Sequence, residues 1–378
     1  MNLRTSWKLL VLLPLLLAGC KELEVLRALP PAPYTVVTPG GEVKGTLEAL
    51  LPELARKRVV YVGETHSRYG HHLLQLEVIR GLYRQGVDLA IGMEFFQKPF
   101  QEWLDAYIEG RIDETEMLEK TQWFDRWRFD YRLYRPILRF AREHRIPVVA
   151  LNVPREITDE VSEKGIDGLK PESRAQLPER IDRSDQAYRK RLRQVFTRHE
   201  GKREGQFERF LDVQYSWDEG MAQSVADYLK SHPGKRMVVL AGSGHIAWGS
   251  GIPHRVARRI GGDYAILLPA DGEMKPGMAD YLVVTEEKKL SPRPLMGIMI
   301  DTSGDGILVT GVTRASGAEK AGLRKGDRII AIDGTPVATY AQLRMSLVDK
   351  RPGDRVRVRF QRDSKTGERE LVLGASPH

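Results

Sequence analysis

The sequence predicts an α/β fold, a mostly parallel sheet with helices on both faces, followed by a small β-rich unit toward the carboxyl end. Three observations predict it. Five apolar runs of strand length, at residues 58–62 (RVVYV), 88–94 (DLAIGME), 146–152, 236–241 and 263–267, alternate with amphipathic stretches; continuous apolar runs suit strands buried on both faces, and strand–helix alternation makes a parallel sheet. Between the runs, residues 71–84 set Leu73, Leu74, Leu76, Ile79 and Leu82 at helical spacing, and residues 131–144 and 206–229 behave alike. Beyond the charged run Glu286-Glu287-Lys288-Lys289 and the prolines 292 and 294, the rhythm changes to short apolar runs punctuated by glycine.

In chain order, residues 1–20 (MNLRTSWKLLVLLPLLLAGC) read as a secretion signal, with Arg4 and Lys8 ahead of a Leu-rich stretch too short for a spanning helix. Leu17-Ala18-Gly19-Cys20 resembles the lipobox of bacterial lipoproteins, which implies cleavage before Cys20 and a diacylated N-terminus; an ordinary cleaved signal with a chance cysteine is the alternative. Two acyl chains suffice for stable anchoring, so the expectation is a tethered protein of the cell envelope. Lys21 resembles the outer-membrane sorting pattern, facing the periplasm. Cys20 is the only cysteine, which excludes a disulfide or a Cys-based metal site. Residues 21–45, with Pro30, Pro31, Pro33, Pro39, Gly40 and Gly41, read as a flexible linker. The α/β domain is expected over 46–285, with residues 155–205 a charged helical insertion, and the β-rich domain over 290–376. The formal charge of +8 includes a basic block over 174–209, read as a solvated helical face and not as a nucleic-acid surface in an exported protein.

In an open parallel sheet, ligands sit beyond the carboxyl ends of the strands. The first predicted strand ends in Gly63-Glu64-Thr65-His66, the second in Met93-Glu94, the third in Asn152 and the fourth in Gly242-Ser243-Gly244-His245. One GxxH means little, but two at equivalent positions predict a common cleft lined by Glu64, His66, Glu94 and His245. His71 and His72 begin the next helix; neighbours on a helix do not share a face, so one is expected toward the cleft and one toward solvent.

GETH, MEFF, ALNVPRE, QYSWDEGMA and AGSGHIAWGSGIP together resemble the ChaN-like haem-binding lipoproteins of the Tiki, TraB and erythromycin esterase superfamily, over roughly residues 46–285. The resemblance implies haem as ligand, a tyrosine bound to ferric iron and a homodimer around the porphyrins. It carries the cleft positions Glu64, His66, Glu94, Glu219, Gly242 and His245. Tyr69 lies nearest the cleft motif, with Tyr131, Tyr134 and Tyr215 competing, and His71 is a further candidate. In this reading Phe95, Phe96 and Trp248 cover the porphyrin while Arg68 or Arg155 meets its propionates. LMGI followed by SGAEKAGLRKGDRIIAIDG resembles a bacterial periplasmic PDZ domain. That implies recognition of protein C-termini by Leu295, Met296, Gly297 and Ile298, whose backbone N–H groups face a terminal carboxylate, with Leu343 and Leu347 lining the side-chain pocket. Two alternatives stand beside haem binding. One is a metal-dependent peptidase or esterase in which His66, His245 and Glu94 hold Mn or Zn and Glu64 or Glu94 is the base. The other is an envelope adaptor working through the PDZ groove alone.

Overall fold

The computed structural model describes residues 34–197, 206–271, 275–304 and 306–375. The signal segment, Cys20 and the first part of the expected linker lie outside them. Eight strands form the large sheet: β1 (Thr35–Val37), β2 (Val43–Thr46), β3 (Val59–Glu64), β4 (Leu89–Gln97), β5 (Val148–Asn152), β6 (Arg236–Gly242), β7 (Tyr264–Pro269) and β8 (Tyr281–Val284). Their spatial order is β2-β1-β8-β7-β3-β6-β4-β5. From β8 to β5 every pairing is parallel, and β1 and β2 add antiparallel to the β8 edge.

All five predicted strands are present. β3 shows why their runs are unbroken: Val60 and Val62 enter the core on one face while Val59 and Tyr61 enter the core on the other. Each such side chain contributes roughly 1.5–3 kcal/mol relative to exposure. Helix Tyr69–Arg84 covers the first face with Leu74, Val78, Ile79 and Leu82, and helices Phe207–Ser231 and Ile252–Ile260 cover the second.

The domain boundary at Thr46 needs correction. Residues 35–46 are not linker but a hairpin that extends the sheet, with Pro39, Gly40 and a left-handed Gly41 (φ 85°) turning it. The basic insertion also differs from a wholly solvated face. In helix Gln186–Thr197, Tyr188, Leu192 and Phe196 pack on Phe207, Leu211 and Tyr215, and Arg189 pairs with Glu208.

The second domain is antiparallel: Ile298–Asp301, Ile307–Val312, Arg328–Ile332, Arg355–Arg362 and Lys365–Val372 in that spatial order, with helix Tyr340–Ser346 against its core. Among the described residues no helix is long and apolar enough to cross a membrane.

Candidate functional site

β3 and β6 are neighbours in register, so Glu64 lies opposite Gly242, and β4 flanks β6 on its other side. The GETH and AGSGH ends and Glu94 therefore meet in one cleft. Glu64 is buried at the end of β3 and its carboxylate takes two histidines, His66 through a short contact to Nδ1 and His72 through Nε2 at 2.8 Å. His72 Nε2 also meets the His66 carbonyl at 3.1 Å, and its Nδ1 faces Gln75 Oε1 at 3.2 Å. Burial alone raises the Glu64 carboxyl, but the two imidazoles outweigh it and hold the group below its ordinary value. Burial lowers His66, and its contact with Glu64 and the nearby Glu94 charge overcome that and raise it.

The second arm is built on Asp218, fully buried on helix Phe207–Ser231. Asp218 Oδ2 accepts from the Tyr188 hydroxyl at 2.6 Å, and Oδ1 holds His245 Nδ1 at 2.8 Å. His245 Nε2 lies 3.6 Å from Glu94 Oε1, and the other Glu94 oxygen accepts from the Gly242 N–H at 2.7 Å. Burial works against a charged His245, yet Glu94 and Asp218 push it up to about 9. Space at Gly242 is tight: a Cβ there would stand 3.2 Å from His66 Cε1. Two carboxylate-held histidines thus flank Glu94, an arrangement that binds an anion or passes protons.

Several expected residues lie elsewhere. Glu219 does not face the cleft; it accepts from Asp182 N–H and is surrounded by Arg255, Arg258 and Arg259. Its neighbour Asp218 occupies the cleft, because successive helical residues point in different directions. His71 is buried, not solvent-facing, and both ring nitrogens are committed, Nδ1 accepting from Thr65 N–H at 3.0 Å and Nε2 meeting Asp271 at 2.9 Å. His72, its neighbour, is the one that turns to Glu64. Phe96 is a core residue, Trp248 lies under Arg191, and Arg155 bonds the Asp125 carbonyl, whereas Phe95, though buried, does reach the cleft, edge-on to His66 at 6.4 Å. The nearer rings at His66 are Trp127 and Phe129, with centroids at 4.8 and 4.9 Å. His66, His245 and Glu94 share the cleft, but among the described residues no group of three or more metal-ligating side chains is arranged to hold an ion. The donor set does not fit the proposed Mn or Zn centre.

A cavity of about 750 Å³ opens beside this cluster, lined by Tyr69, Phe129 and His71 and by basic side chains, Arg68, Arg128 and Lys288 among them, interspersed with the carboxylates of Asp130, Asp271, Glu286 and Glu287. Phe129 belongs to both the cavity and the ring cluster around His66. The competing tyrosines are absent from its wall. Tyr131, Tyr134 and Tyr215 are buried; Tyr131 donates to Glu114, and burial holds all three phenols above their ordinary range. Tyr69 is only partly buried and hydrogen-bonds to no described side chain.

In the second domain Gly297 adopts φ 83°, and a Cβ there would strike Ser316, which explains the glycine in LMGI. Leu295 is exposed, Met296 buried and Ile298 half-buried, while Leu343 and Leu347 are turned into the domain core. Strand Ile298–Asp301 is the last in its sheet, and its Ile298 and Ile300 pack on the same core cluster as Leu343 and Leu347 of and just after helix Tyr340–Ser346.

Fold and cleft together define an α/β domain of the strand-end-cleft type joined to a PDZ domain, and models of both units match the chain. It belongs to the family described as haem-binding uptake, Tiki superfamily, ChaN, whose model matches residues 50–256; the PDZ model matches residues 294–373. A solved structure described as cofacial heme binding to ChaN of Campylobacter jejuni has the same fold, with a TM-score of 0.55 and 17% identity over 67% of this chain and 97% of that one. Among curated proteins, RETICULATA-RELATED 5, chloroplastic, of Arabidopsis thaliana is 25% identical over 55% of this chain and 30% of its own length. The periplasmic pH-dependent serine endoprotease DegQ of Escherichia coli is 30% identical over 37% of this chain and 29% of its own length. The chain thus spans less than a third of these two relatives.

Proposed function

We propose that the protein binds haem in the cavity beside the strand-end cleft, tethered to the envelope through a lipid on Cys20, on the periplasmic face of the outer membrane, while its PDZ domain recognises protein C-termini. The observation that carries this reading is the cavity of about 750 Å³ with the Tyr69 phenol in its wall, a volume inside the ~300–1,000 Å³ range of ligand sites. Tyr69 supplies the oxygen donor for ferric iron, Phe129 an apolar face, and Arg68, Arg128 and Lys288 the charges for two carboxylates. Bound haem contributes an iron centre that a phenolate can coordinate. A homodimer around the porphyrins, as the family resemblance implies, is the assembly to look for when hemin is added.

Hemin titration tests it. A Soret band is expected to grow to saturation, and Tyr69→Phe is expected to shift the band and weaken binding by roughly tenfold or more, the scale of losing one strong contact. No band at saturating hemin removes the reading. A second reading rests on the Glu64–His66 and Asp218–His245 pairs around Glu94: a hydrolase working by proton transfer on an ester or peptide. Turnover of a substrate library that disappears in His66→Ala supports it, and no turnover by the wild type removes it.

A further inference from the structure

The cavity is not made by the α/β domain alone. Its outer wall is residues 285–293, which lie between the two matched regions and connect β8 to the PDZ domain. Apart from Leu290, which packs on the α/β core, that segment is held by few and mostly exposed polar contacts. Its one backbone hydrogen bond among the described residues runs from Lys288 N–H to the Glu286 carbonyl. Its ion pairs, Lys288 with Glu286 at 3.3 Å, Lys289 with Glu287 at 3.5 Å and Glu287 with Arg68 of the α/β domain at 3.6 Å, join exposed side chains that water screens. Strand β8 fixes one end, and the PDZ domain fixes the other.

The PDZ domain is itself docked. Asp349 receives both terminal nitrogens of Arg135, at 2.5 and 3.2 Å, and Arg135 also binds Glu114. Thr339 donates to Glu119, Tyr340 meets Phe124 edge-on at 5.5 Å, and Arg344 lies 5.4 Å above the same ring. Leu290 and Met345 pack on the α/β core, and Arg293 approaches Asp130 at 4.0 Å. The segment carrying Phe124 also carries Phe129, which touches His66, and Asp130 at the cavity wall. One short stretch therefore supports the PDZ helix on one side and the cavity on the other.

We propose that the PDZ domain completes the cavity: docking of helix Tyr340–Ser346 and Asp349 holds residues 285–293 in place as its outer wall. A planar acidic ligand is then gripped between Arg68 and Arg128 of the α/β domain and Lys288, Lys289 and Arg293 of the connecting segment, in the docked state alone. The ligand's chemistry here rests on the haem reading.

The test uses the full chain carrying Asp349→Ala with Arg344→Ala, both on the outer face of the PDZ domain, and Arg355→Ala in the remote hairpin as control. Trypsin cleavage after Lys288 and Lys289 reports how often the wall opens, since proteolysis follows the open population. The double variant is expected to be cut about tenfold faster and to bind hemin about tenfold more weakly, with the control matching wild type. Equal cleavage of double variant and wild type overturns the proposal whether or not hemin binds. Faster cleavage with unchanged hemin affinity overturns it too. Wild type that takes up no hemin removes the haem reading, and the cleavage ratio still decides whether docking holds the wall.

Discussion

Asp218 is the residue on which the cleft's charge balance turns. It is fully buried, and its two oxygens hold Tyr188 and His245. Removing its charge while keeping its shape, as in Asp218→Asn, leaves His245 beside Glu94 alone. Breaking such a buried pair costs about 3 kcal/mol. The pH dependence follows from His245, whose folded-state value is raised to about 9 against roughly 6.5 for a free imidazole. The pairing contributes fully below roughly pH 6.5 and is lost as pH rises through about 9. Urea unfolding at a series of pH values should therefore show a wild-type-to-variant gap that is largest at pH 6 and shrinks toward pH 10; a constant gap would mean that His245 is not charged in the native protein. The family resemblance brought the motif QYSWDEGMA to the cleft but through Glu219 and not Asp218. The reason is physical: helix Phe207–Ser231 is buried around most of its circumference, with Ser216, Asp218, Glu219 and Gly220 all inaccessible. A helix without a solvated stripe carries no signal for which side meets the sheet. His71 and His72 failed differently: helix Tyr69–Arg84 has a less buried stripe at Tyr69, Leu73, Glu77, Arg80 and Arg84, and both histidines lie off it.

At the scale of elements, the strand ends were legible because both faces of the central strands are apolar, so each run stops where the chain leaves the core. The parallel register of β3 and β6 then brought two distant GxxH segments together without any further signal. The edge was less legible. β1 and β8 have only three and four residues, pair with each other across the whole domain, and sit beside a Pro-Gly-Gly stretch whose composition suits a hairpin turn as well as a spacer. The loop after β6 makes its own prediction. An ideal Cβ on Gly251 would collide with the His245 carbonyl and come within 3.0 Å of Asp218 Oδ1. Backbone cannot yield as a flexible side chain does, so Gly251→Ala is expected to cost about 2 kcal/mol and to displace His245 from Asp218. Thermal unfolding checks the first part and the imidazole NMR signals of His245 the second. An alanine variant as stable as wild type, with unmoved His245 resonances, would contradict the packing described.

For the molecule as a whole, two domains were readable from the change of rhythm near residue 290, but their docking was not. Arg135 and Asp349 are 214 positions apart, and neither stands in a motif. The docked arrangement makes the two sites thermodynamically dependent on one another. Leu343 and Leu347 are almost wholly buried against the PDZ core, so the last side chain of a bound peptide gains room only as helix Tyr340–Ser346 moves off strand Ile298–Asp301. That helix carries Tyr340 and Arg344 on the Phe124 contact, and its displacement works against docking. A peptide ending in an aliphatic residue should therefore weaken hemin binding by about fivefold at saturation, and hemin should weaken the peptide by the same factor, because linkage is reciprocal. Hemin titrations with and without peptide, paired with peptide titrations with and without hemin, measure both. Two equal factors above one establish a single docked state serving both sites, whereas a hemin affinity unmoved by saturating peptide shows that the groove opens without disturbing the helix's outer face.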